Sequence, residues 1–140
     1  MEYRRIFYRE SDGEAGGYPF SYQVNFVMEE GSISYCNRDG GFTTRGAKLN
    51  ENVLSHFRLL LSQAKPEQYR DGKNLKIEKS IFVDEFSWEF IIEYNDGTSE
   101  LRIDNTRAND PGINEIMKVP AFISELRGYA ISQLGLEDLR

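Results

Sequence analysis

The sequence is short of the residues on which most site chemistry is built. In 140 residues there is one cysteine, Cys36, and one histidine, His56. A single thiol allows no internal disulfide, and one thiol with one imidazole makes no zinc site of the Cys/His type. A Ser–His–Asp arrangement cannot be argued from one histidine. A Cys36–His56 nucleophile pair is what remains of thiol chemistry. A strand-end cysteine and an ordinary surface histidine are the simpler reading of the same two residues. Long apolar runs are also missing. Mean hydropathy is −0.57, and nothing approaches the roughly 18 apolar residues of a membrane span. The opening MEYRRIFYRE is charged and has no apolar core, so no signal peptide is expected. With the lone cysteine this makes a reduced, cytoplasmic location the expectation, with no membrane partner.

Clustered positive charge is missing too. The net charge is −6, with acids spread along the chain, and the pI is near 4.9. This disfavours binding to a phosphate backbone, so no nucleic-acid partner is expected. The one basic group, Arg4, Arg5 and Arg9 among Tyr3, Phe7 and Tyr8, reads as an edge strand with charged residues turned outward. An acidic protein suits a basic partner by complementary potential. No cofactor is expected. Asp12 to Gly17 is glycine-rich but matches neither phosphate-loop nor dinucleotide spacing. Asp104 to Glu115 has acids at both ends, but Ala108 and Asn109 stand where a calcium loop needs an oxygen ligand and a glycine. No metal site follows from it.

What the chain does have is apolar pattern. Hydrophobic residues make up 39% and aromatics 13%, enough for a packed domain spanning 1–140. Residues 3–9 read as a strand. Phe20, Tyr22, Val24, Phe26 and Met28 alternate with Ser21, Gln23, Asn25 and Glu29, the period of a half-buried strand. Val27 breaks that alternation. Glu29 to Ser32 reads as a turn, Ile33 and Tyr35 as the return strand, and Phe42 to Ala47 as a further short strand. Asn50 reads as a helix cap, with Leu49 and Leu54 as a hydrophobic staple. Val53, Leu54, Phe57, Leu60, Leu61 and Ala64 form one stripe, and Pro66 ends the helix. Leu75 to Val83 suggests a strand. Phe86, Trp88, Phe90, Ile92 and Tyr94 oppose Ser87, Glu89, Glu93 and Asn95, and Asn95-Asp96-Gly97 is a hairpin turn. Leu101 and Ile103 return. Asp110-Pro111 opens a short helical turn through Lys118. Phe122 to Leu134 is a second amphipathic helix, with Gly135 as its cap and Gly128 giving close approach to a neighbour.

FSYQVNFVMEEG from Phe20 and FSWEFIIEYNDG from Phe86 align without gaps, apolar on apolar along the strand. Each is followed by an asparagine (Asn37, Asn105), an irregular stretch and a helix. The order predicts two pseudo-equivalent strand–hairpin–helix units, about 1–66 and 73–136. Their fold class is α+β: an antiparallel sheet of about six strands, with helices near 51–65 and 121–134 on one face.

Trp88, Asp96, Gly97, Pro120, Phe122 and Leu126 carry a further pattern: aromatic strand, Asp-Gly turn, return strand, proline, terminal helix. Over about 50 residues this resembles an uncharacterised family of small bacterial α+β proteins. Asp104-Asn105 stands where that pattern commonly has a glycine. The resemblance implies an α+β protein and carries over no catalytic residue.

Glu89 and Glu93, with Glu100 across the hairpin, are paired carboxylates of a kind that can do acid–base work. On an uncovered sheet face they are more simply solvated charges. The sheet side away from the helices would carry Gln23, Asn25, Val27, Glu89, Ile91 and Glu93. Val27 and Ile91 are apolar residues in a polar setting, which marks this side as a partner surface. The function expected is a noncatalytic protein-binding or regulatory module, for example an immunity-like protein masking a basic partner. The alternatives are a structural protein forming homo-oligomers through sheet edges and an enzyme with an unrecognised carboxylate site.

Overall fold

The computed structural model describes residues 2–11, 20–36, 41–72, 87–96, 100–104 and 121–134. Six strands form one sheet: β1 (Tyr3–Ser11), β2 (Phe20–Asn25), β3 (Glu30–Cys36), β4 (Phe42–Lys48), β5 (Ser87–Tyr94) and β6 (Glu100–Asp104). Their order is β4-β3-β2-β1-β5-β6, and every neighbouring pair is antiparallel. Two helices, α1 (Glu51–Ala64) and α2 (Ala121–Leu134), cover one face, and a short 3-10 helix, Pro66–Gly72, follows α1. This is the α+β class read from the sequence. Among the described residues no helix is long and apolar enough to cross a membrane.

The core is the inner face of the sheet closed by the two helices. Ile6 and Tyr8 of β1, Phe20, Tyr22 and Val24 of β2, and Trp88, Phe90, Ile92 and Tyr94 of β5 share one buried cluster. Leu54, Phe57 and Leu61 of α1 and Ile123, Leu126, Ala130, Ile131 and Leu134 of α2 complete it. Each Val, Leu, Ile and Phe among them contributes about 1.5–3 kcal/mol by leaving water. The cap of α1 is as its sequence predicts. The Asn50 side chain accepts from Val53 N at 3.0 Å, satisfying one orphan amide of the first turn. Leu49 and Leu54 are both buried. At the far end Lys65 turns left-handed (φ 50°) ahead of Pro66, and Gln68 Nε2 donates to Ala64 O at 2.7 Å.

Three local readings change. First, β1 is not an edge strand but lies inside the sheet, between β2 and β5. Its arginines are tolerated there because, among the described residues, no helix covers its outer side, and they meet glutamates of β5. Second, β2 ends at Asn25, and the turn is formed by residues 26–29, not by Glu29 to Ser32. The Asn25 side chain accepts from Val27 N (3.0 Å) and Met28 N (2.8 Å) and bends the chain early. Glu29 then takes a left-handed conformation (φ 56°). Phe26 stays buried, while Met28 is exposed. Third, Gly128 makes no close approach: no described atom lies within 4 Å of where its Cβ would stand. The tight spot is Gly31, whose Cβ would meet Leu49 Cδ1 at 3.1 Å, Gln23 O at 3.3 Å and Leu134 Cδ2 at 3.6 Å.

The hairpins β2–β3 and β5–β6 flank β1, each with its first strand against it. The expected strand 75–83, the loop 12–18, Asn37, Phe86, Gly97, the 105–118 connection, Pro120 and the Gly135 cap lie outside the described residues.

Candidate functional site

Pairing register sets the outer face, because directly opposed residues share a side of the sheet. Its middle row runs Gly46, Ser32, Gln23, Phe7, Ile91, Arg102 from β4 to β6. The row toward the β2–β3 turn is Lys48, Glu30, Asn25, Arg5, Glu93, Glu100. On the other side Thr44, Ser34, Ser21, Arg9 and Glu89 align. Five of the six residues singled out in the sequence therefore lie on one face. Val27 does not: it sits in the turn, 57% exposed.

The β1–β5–β6 half is an ion-paired lattice. Arg5 Nε reaches Glu93 at 3.0 Å. Arg9 Nε reaches Glu89 at 2.7 Å, and Arg102 reaches the other Glu89 oxygen at 3.0 Å. Glu100 takes the remaining reach of Arg102 at 3.5 Å. Phe7 and Ile91 oppose each other between these pairs, and Ile91 is only 9% exposed. The Arg5 guanidinium lies 5.8 Å from the Phe7 ring centre. The glutamates thus serve arginines across strands, and Ile91 is a covered residue.

The β2–β3–β4 half differs in kind. Arg5 Nη1 donates to Gln23 Oε1 at 3.0 Å, and Gln23 Nε2 donates to Ser32 Oγ at 3.2 Å. Ser34 and Thr44 hydroxyls share a 2.9 Å bond. Ser32, Ser34 and Thr44 are small and uncharged, and Gly46 has no side chain. A trough of about 410 Å³ results, lined by Gln23, Asn25, Glu30, Gly31, Ser32, Gly46, Ala47 and Lys48. Lys48 and Glu30, 3.6 Å apart, close one end.

A second polar constellation, on the inner face, escaped the sequence reading. Glu10 of β1 accepts from Arg127 of α2 at three contacts of 2.7–3.2 Å. It also accepts the Tyr8 hydroxyl proton. The Arg127 guanidinium stacks 4.5 Å from the Phe20 ring centre. Tyr22 stands directly across from Tyr8, yet its buried hydroxyl has no hydrogen-bond partner among the described residues. Burial pushes both tyrosines well above the ordinary phenol range. For Tyr8 the Glu10 carboxylate adds to the rise, and for Tyr22 Arg127 opposes it. At the other end of this face the Tyr94 hydroxyl donates to Glu67, which Arg70 holds at 3.1 Å. Glu10 and Arg127 are 117 residues apart. The available signal was a glutamate at an inward position of β1, in phase with Ile6 and Tyr8.

Cys36 is half-buried opposite Phe42. His56, on α1, packs its ring 4.3 Å from that of Tyr129 on α2. Among the described residues no group of three or more His, Cys, Asp or Glu is placed to hold a metal ion. No family model matches the chain, and no curated protein matches it in sequence.

Proposed function

We propose that the protein is a noncatalytic binding module that engages a polypeptide partner on its outer sheet face, in the trough over β2, β3 and β4. The observation that carries this reading is the trough itself: a hollow with a polar, uncharged floor and one ion pair, Lys48–Glu30, at its end, on a sheet face that neither helix covers. Gln23 and Ser32 offer donors and acceptors at its floor, as a peptide main chain requires. Beyond the bonds they make to each other and to Arg5, Gln23 has a second amide hydrogen and Ser32 a hydroxyl proton to offer. The net charge of −6 favours a basic partner through long-range steering, with neutral contacts at the trough.

The test is site-specific photo-crosslinking in cells, with the probe at Ser32 on the trough floor or at Gln63 on the exposed side of α1. One protein captured through Ser32, and lost on Gln23→Arg, supports the reading. Equal capture from both positions, or none through Ser32, contradicts it.

A further inference from the structure

Strand β4 ends the sheet on one side, with seven residues and no proline. At the other side β6 is shorter and packs beside the Pro66–Gly72 helix. The phase of the β3–β4 ladder is fixed by Leu49 N donating to Glu29 O at 2.9 Å. It follows that Thr43, Arg45 and Ala47 turn their backbone groups toward β3. Phe42, Thr44 and Gly46 turn theirs away from the sheet, and their side chains lie on the outer face. Among the described residues no strand pairs with this edge, and such an edge is a template for another strand. Phe42 stands on it 62% exposed. A Cβ added at Gly46 would meet only Gly31 O, at 3.6 Å.

We propose that β4 pairs antiparallel with β4 of a second copy of this chain, about a two-fold axis at Thr44. In this register Thr44 opposes Thr44 of the partner subunit, and Phe42 opposes Gly46 of the partner subunit. Each exposed ring then covers a glycine on the neighbouring strand and fills the edge of its trough, a pairing that offsets the missing side chain. Arg45 falls opposite Thr43 of the partner subunit. Of the two neighbouring symmetric registers, one sets Arg45 against itself and Phe42 against Lys48, with like charges directly opposed, and the other sets Phe42 against Thr44 and away from Gly46. The chosen register is thus self-complementary in shape and charge, and it joins the two outer faces into one surface. The inference does not rest on the partner reading above, since the edge can pair whether or not a third protein enters the trough.

Sedimentation of the full chain tests the state, and cysteine cross-linking tests the register. The expected mass is twice 16.2 kDa, with Phe42→Ser weakening the dimer about tenfold through its two ring contacts. Thr44→Pro should abolish it, with folding checked by circular dichroism. In a Cys36→Ser background, Thr44→Cys should form an intersubunit disulfide on mild oxidation, since hydrogen-bonded strand pairs hold Cα atoms about 5.5 Å apart. Arg45→Cys in the same background should not. A monomer at all concentrations up to about 1 mM, or cross-linking through position 45 instead of 44, overturns the proposal.

Discussion

Strand β1 carries arginine–glutamate pairs on both sides of the sheet, and the two sides use them differently. Outside, Arg5 and Arg9 reach Glu93 and Glu89 across to the next strand, in contact with water. Inside, Glu10 binds Arg127 of α2, takes the Tyr8 hydroxyl and sits among aromatic rings. The same chemical pair is a surface neutraliser in one place and a clamp between sheet and helix in the other. Additional partners set the difference, since depth does not: Arg5 and Arg127 are about equally exposed, at 35% and 34%. Outside, Glu89 keeps Arg102 when Arg9 is lost, whereas inside the loss of Glu10 strands both Arg127 and the Tyr8 hydroxyl.

The largest expected effect is on the inner side. Glu10→Ala leaves Arg127 unpaired and the Tyr8 hydroxyl without an acceptor. The loss should be about 2–3 kcal/mol, seen as a melting temperature lower by roughly 6–12 °C. The two opposed tyrosines sharpen the same point with opposite signs. Tyr8→Phe removes a made hydrogen bond and should cost about 1 kcal/mol, while Tyr22→Phe removes a buried hydroxyl that has none and should stabilise by about 1 kcal/mol. Denaturant titration of the two variants reads both.

These tyrosines also set the alkaline limit. Burial raises their folded-state pKa above the ordinary 10.0. The unfolded chain therefore gives up these protons first, and the stability they contribute is complete below pH 10 and drains away as pH rises above it. Tyr22→Phe should move the alkaline unfolding midpoint upward. The smallest effect belongs to the outer face: Arg9→Ala should change stability by no more than about 0.5 kcal/mol by the same titration, because Glu89 keeps Arg102.

Much of the fold was legible because it is local. The alternation around Phe20–Val24 and Trp88–Ile92 marked two strands with one buried side, and Asn50 announced α1. The position of β1 was not legible. Arginine-rich segments look peripheral, and its pairing of Arg5 with Glu93 joins residues 88 apart. The β2–β3 turn was misplaced because a side chain, Asn25, ends the strand while the apolar alternation runs on through Phe26 and Met28. Val27 left the candidate face for that reason. Of the remaining site residues, register placed Gln23 and Asn25 at the trough and Glu89, Ile91 and Glu93 in the ion-paired half, a division that alternation alone does not contain. The Glu10–Arg127 clamp joins β1 to α2 across 117 residues, which no sequence spacing reports.

The inner face holds the fold, and the proposed partner would meet the outer one. The most direct test of this division compares photo-crosslink yield from Ser32 in the Gln23→Arg and Glu10→Ala variants, each below its own melting temperature. Gln23→Arg should melt like the parent and lose the cross-link, whereas Glu10→Ala should melt lower and keep it. A Gln23→Arg protein that cross-links normally, or a Glu10→Ala protein that stays folded but does not, would contradict this division.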